Sequence, residues 1–194
     1  MKNILGLGHP RTGTRYTSKI CKHWGLNVGH EKIEESGVIA WQLVLPNGPY
    51  PFTNIKNRPS YRYLIYNVRN PKESLPSIVY TEDTNIQSVN FRKRFCNFNH
   101  NKIENAIESI CTFDKLISNL NPDLFFRIED EDLKLFNFLK DKFDINYTIY
   151  KKKENARKHK SFNEMLAENE QCSKYYIDKI NNYCLKYGYD EIKF

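Results

Sequence analysis

Four short stretches of this 194-residue chain carry side chains whose types and spacing could do chemistry. The first is Gly8-His9-Pro10-Arg11-Thr12-Gly13-Thr14-Arg15, directly after the apolar run Asn3–Gly8. A buried strand, a glycine turn and a helix start make an anion site. The free N–H groups of the first helical turn point at the ligand, and the helix dipole favours negative charge there. Arg11, inside the turn, adds a fixed cation. The second stretch is Arg69-Asn70-Pro71, with Ser77 eight residues after Arg69. An arginine at the carboxyl end of a strand lies where open α/β sheets bind ligands, and Ser77 can approach the same anion after a turn of helix. The third is Gly29-His30-Glu31, where either the imidazole or the carboxylate can take a proton. The fourth is the basic run 151–160, whose Arg157, Lys158 and Lys160 can close over a phosphate. Taken singly, each is equally well a connecting turn or a solvated charge run.

The surrounding pattern supplies elements to hold these stretches. Tyr16, Ile20 and Trp24 recur near a helical period, and Gly25 is a helix stop. Leu26–Gly29 reads as a second strand, and residues 32–60 as irregular chain punctuated by Pro46, Gly48, Pro49, Pro51 and Pro59. Tyr61–Val68 is the strongest strand signal. Pro71 fits the first turn of a helix running to about Tyr80. Ile103, Ala106, Ile107, Ile110, Ile117 and Leu120 make one stripe of a helix over 101–120, ended by Pro122. Leu124–Ile128 reads as a strand, Asp130–Lys142 as a helix and Ile145–Tyr150 as a last strand. Ser161 with Glu164 forms a capping box, and a final helix stops at Gly188. Strands alternating with helices predict one three-layer α/β domain over residues 1–194. It has a central parallel sheet of four to five strands and a P-loop-like anion loop after the first.

Lys plus Arg number 30 against 23 Asp plus Glu, a net charge of +7 that favours an anionic partner. No apolar run approaches the ~20 residues that span a bilayer. The residues from Met1 lack the longer apolar core of a signal peptide. The five cysteines form no CxxC, so buried reduced thiols in a cytoplasmic protein are expected. His23, His100 and His159 show no ligand spacing, and no metal is assigned. Against the phosphate-loop pattern GxxxxGK[ST], Gly8 and Gly13 keep the spacing. Thr14 stands in place of the lysine, however, and Arg15 in place of the magnesium-binding hydroxyl. That departure disfavours magnesium-nucleotide phosphoryl transfer, which leaves a nucleotide or nucleoside kinase as the second choice. A basic nucleic-acid-binding module is the non-enzymatic alternative; it would use Phe91-Arg92-Lys93-Arg94-Phe95-Cys96-Asn97-Phe98 as an aromatic and basic surface, although a core helix turn or an acceptor-site wall explains those residues as well.

Taken together, the first two stretches resemble the PAPS-dependent sulfotransferase family. His9-Pro10-Arg11-Thr12-Gly13-Thr14-Arg15-Tyr16 looks like its 5′-phosphosulfate loop, with arginine for lysine at 11 and Tyr16 for the usual tryptophan. Arg69-Asn70-Pro71 with Ser77 looks like its 3′-phosphate motif. Gly29-His30-Glu31 is similar to a segment that carries a glutamate base in members of the tyrosylprotein type, and Phe126-Arg127-Ile128-Glu129-Asp130 is similar to a family strand end. The resemblance implies transfer of a sulfuryl group from PAPS to an acceptor hydroxyl, with adenosine 3′,5′-bisphosphate released and no metal required. It implies that Arg11, Thr12, Gly13, Thr14, Arg15 and Tyr16 hold the 5′ side. Arg69 and Ser77, with Arg157, Lys158 and Lys160, would hold the 3′ side. Glu31 becomes the preferred base and His30 its rival. Glu129 and Asp130 are expected to pair with arginine or to cap the next helix. No nucleic-acid partner is expected.

Overall fold

The computed structural model describes residues 2–150, 159–169 and 171–194. Its centre is strand β1 (Lys2–Gly8), whose alternating side chains enter two different cores. Ile4 goes to one face of the sheet, and Leu5 and Leu7 to the other. Five strands are parallel throughout: β2 (Val28–His30), β3 (Gly37–Ile39), β1, β4 (Tyr61–Val68) and β5 (Leu124–Arg127), in that spatial order. The chain is therefore α/β, with helices covering both faces of a parallel sheet.

One face is covered by α1 (Thr14–His23) and α5 (Asp132–Lys140), which set Ile20, Cys21, Leu135 and Leu139 against Ile4, Ile39, Ile65 and Phe126. The other is covered by α4 (Lys102–Ser118) and α7 (Lys174–Lys186). Ile103, Ala106, Ile107, Ile110 and Ile117 of α4 are buried, as their spacing predicts, and the Asn101 side chain caps the helix by accepting from the Glu104 N–H at 2.9 Å. Between β4 and α4 lie α2 (Pro71–Ser77), a π turn (Ile78–Glu82) and α3 (Ile86–Arg92). The helix α6 (Phe162–Glu168) carries the predicted capping box. Among the described residues no helix is long and apolar enough to cross a membrane.

Two strand expectations are corrected. Ile145–Tyr150 is not a strand. It crosses α1 and α5, with the Tyr147 ring against Trp24 and Phe136 and the Thr148 carbonyl accepting from Trp24 Nε1 at 3.0 Å. Its aromatic side chains find apolar area on helices, so no ladder is needed to bury them. The fifth strand is β3, inside the stretch that reads as irregular. Three residues are too few to show a period, and β3 forms because Gly37 lets two backbones meet. A Cβ at Gly37 would lie 2.0 Å from the Ile4 carbonyl oxygen, at a φ of 149°. We predict that Gly37→Ala costs at least about 2 kcal/mol, since the atom it meets is backbone and cannot swing aside. Chemical denaturation checks this, and an unchanged midpoint refutes it.

Candidate functional site

The register of β1 and β4 sets Gly8 opposite Asn67, so the chains leaving both strands emerge side by side. A Cβ on Gly8 would sit 2.5 Å from Thr12 Oγ1 and 3.0 Å from the Asn67 carbonyl, so only glycine allows the turn to fold back there. Thr12 closes the turn: its N–H and its hydroxyl both donate to the His9 carbonyl, at 3.0 and 2.7 Å. Its side chain is thereby buried and turned inward. Gly13 (φ 83°) is the N-cap of α1, and no side chain caps that helix end. The first-turn N–H groups of α1 are accordingly left to face the loop.

Arg11 has φ 80°, a left-handed conformation that costs a non-glycine residue about 1–3 kcal/mol. Two contacts hold it there. Arg69 Nη1 donates to the Arg11 carbonyl at 3.0 Å, and Arg11 Nε donates to Ser77 Oγ at 2.8 Å. Ser77 is fully buried. Arg69 also lies 3.7 Å from the Glu73 carboxylate, one turn along α2. Two guanidiniums and a hydroxyl from two separate sequence stretches thus meet beyond the carboxyl ends of adjacent strands. This arrangement can bind a multiply charged anion through charge-assisted hydrogen bonds.

A buried relay backs the loop. His9 Nδ1–H donates to the Pro10 carbonyl at 2.5 Å, which leaves Nε2 to accept from Ser109 Oγ at 2.7 Å. Ser109 in turn accepts from Arg92 at 3.3 Å, and Arg92 pairs with Asp83 at 2.7 Å. Burial, with the Arg92 charge nearby, holds His9 well below the ordinary histidine range, so it is neutral. Thr17 is held by the Asn67 amide and donates to the Gly13 carbonyl at 3.2 Å. Sequence reasoning passed over Ser109 and Asn67 as members of this group. Arg92 belongs to the run at 91–98, which reads as an aromatic and basic surface or equally as a core helix turn. In the structure Phe91 and Arg92 are both buried, and Arg92 has no exposure at all.

Neighbours on a strand face opposite ways, and His30 and Glu31 follow one another at the end of β2. These two do not face apart, because Glu31 leaves the strand at φ 55°. His30 Nδ1 comes within 3.9 Å of Glu31 Oε2, and His30 Nε2 lies 3.3 Å from the Thr14 hydroxyl at the start of α1. Burial, helped by the Arg15 charge, pushes His30 down to about 4. Burial raises Glu31 despite hydrogen bonds from Gln42 and Trp41. The two shifts run in opposite directions, the imidazole down and the carboxyl up.

The remaining predicted residues fall in several places. Arg15 lies within electrostatic reach of both His30 and Glu31. The Tyr16 hydroxyl donates to Asp132 and its ring packs on Tyr150, which commits it to the α5 side of the sheet. Lys160 pairs with Glu168 and lies over the Tyr80 ring. Arg157 and Lys158 lie outside the described residues. Asp130 pairs with Arg127 at 2.8 Å, and Glu129 accepts from the Asn70 N–H at 2.8 Å, which ties β5 to the start of α2. Among the described residues no group of three or more His, Cys, Asp or Glu is placed to hold a metal ion. No protein-family model, curated protein or solved structure matches this chain.

The left-handed backbone at Arg11 separates its two jobs. We predict that Arg11→Gly is more stable than Arg11→Ala by about 1 kcal/mol, since only glycine is at ease there. Both variants should lose binding of a phosphorylated ligand. Thermal melts and calorimetry check this; a more stable alanine variant would contradict the backbone argument.

Proposed function

We propose that this chain transfers a sulfuryl group from PAPS to an acceptor hydroxyl and releases adenosine 3′,5′-bisphosphate. The observation that carries the reading is the convergence of Arg11, Ser77 and Arg69 across the β1–β4 pair. A nucleotide with phosphate groups at both ends needs two cationic anchors, and Arg11 and Arg69 are fixed by hydrogen bonds before any ligand arrives. Arg11 and the first turn of α1 serve the 5′ side, where Arg11 stabilises charge developing on the leaving oxygen. Arg69 and Ser77 serve the 3′-phosphate. Glu31 takes the proton from the acceptor hydroxyl, because burial makes it more basic while His30 is held too acidic to compete. The burial of Phe91 and Arg92 weighs against a nucleic-acid surface at 91–98.

Calorimetry should show adenosine 3′,5′-bisphosphate binding about ten- to a hundredfold more tightly than AMP, because each charge-assisted bond to the 3′-phosphate contributes about 1.5–3 kcal/mol. Arg69→Ala should remove most of that difference, and EDTA should leave binding intact. Equal affinities would remove the 3′-phosphate assignment, and a strict magnesium requirement would favour the kinase reading.

Glu31→Gln should lower PAPS turnover, followed as bisphosphate release across a panel of hydroxyl acceptors, by ~10²–10⁴ with little change in bisphosphate affinity. A larger loss in His30→Asn than in Glu31→Gln would transfer the role of base to His30.

A further inference from the structure

Glu31 is held by two residues that neither its own strand nor the nucleotide-binding motifs contain. After β3 the chain enters a 3₁₀ turn, Trp41–Val44. Trp41 Nε1–H donates to Glu31 Oε1 at 3.0 Å, and Gln42 Nε2–H donates to the same oxygen at 2.9 Å. The second hydrogen of the Gln42 amide goes to the Pro51 carbonyl, also at 2.9 Å. Gln42 is fully buried, and its own carbonyl oxygen has no hydrogen-bond partner among the described residues. The amide cannot turn over, because that would set its oxygen against the Glu31 carboxylate and the Pro51 carbonyl, three acceptors with no proton between them. A buried amide with an orphaned oxygen is a poor choice for stability alone, since an apolar side chain of the same shape leaves no oxygen unpaired. Its use is to donate.

From this geometry we infer that Trp41 and Gln42 are a pair of positioning residues. They fix Oε1 of Glu31 and leave Oε2 as the oxygen that takes the acceptor proton. Both donors lie on one carboxylate oxygen, so charge on Oε1 is held in place. Oε2 faces the side occupied by His30. As the acceptor oxygen bonds to sulfur, the bond from sulfur to the 5′-phosphate oxygen breaks. The electron pair leaves with the bisphosphate, and the acceptor proton passes to Oε2. Trp41 is itself fixed by the Phe91 ring, at 5.4 Å between centroids, so its N–H cannot follow a wandering carboxylate. The inference rests on the reading of Glu31 as base.

Among the described residues, the charged and titratable groups facing Glu31 are His30 beside it, Arg15 of α1 and Glu82 of the π turn. All three stay in place when a donor is removed, so a titration isolates the donors. In protein labelled with ¹³C at glutamate carboxyls, the Glu31 resonance is identified by its loss in Glu31→Gln. Its wild-type midpoint should lie above the ordinary glutamate value. Each donor stabilises the ionised form, so Gln42→Leu and Trp41→Phe should each raise the midpoint by about one pH unit. The acid limb of PAPS turnover should move with it. The Trp24 indole resonance, from the opposite core, reports whether each variant is folded, and Trp41→Phe carries the test if Gln42→Leu does not fold. A midpoint left in place by a folded variant overturns the role of the residue removed. The titration uses neither nucleotide nor acceptor, so it can fail while sulfuryl transfer stands, or succeed while transfer is absent.

Discussion

The pairing of β1 with β4 is the constraint on which the other features depend. These strands are far apart in sequence and adjacent in the sheet, and the parallel register sets Gly8 against Asn67. One residue of slip would send Leu5, Leu7, Leu64 and Tyr66 to the wrong face. Burial therefore fixes the register, and the register fixes the distance between the two loops that follow. Arg11 can reach Ser77, and Arg69 can reach the Arg11 carbonyl, only because two apolar faces each demand this one alignment.

The same economy appears in α4. Its Phe113 ring is fully buried, 4.8 Å from the His9 ring and 6.3 Å from Trp41. His9 begins the glycine loop after β1, and Trp41 holds Glu31. One core side chain thus supports both halves of the site, each by ordinary packing. The polar relay from Asp83 through Arg92 and Ser109 to His9 lies in the same region, where the 2.7 Å pair with Asp83 keeps the buried Arg92 charge from being left alone. Left-handed backbone at Arg11 and Glu31 marks the points where local preference yields to this framework.

Much of the architecture was legible in the residues. The strong strand at Tyr61–Val68, the stripe on α4, the capping box at Ser161 and the alternation of elements all follow from local pattern, because burying a face imposes a period on the chain that must supply it. Arg11 and Arg69 could be singled out because each follows a strand, but a turn there reads equally well as a plain connection, and only the family resemblance joined them and Ser77 around one ligand. β3 was not legible: its three residues pair only because Gly37 lets backbones approach. The stretch 145–150 misled for the opposite reason, since aromatic and β-branched residues serve equally well when laid across helices.

Residue order alone established an α/β chain with a glycine turn after the first strand, an arginine at the end of another, and a histidine and glutamate together. It could do so because these features are local, and each depends on a few consecutive residues. Tertiary structure decided which groups meet. It buried Arg92, which only the nucleic-acid alternative had put on a surface, brought His30 and Glu31 to the same side, and supplied Trp41 and Gln42 as donors to Glu31. Those outcomes turn on backbone angles at single positions and on packing between distant elements, and neither leaves a periodic trace in the chain.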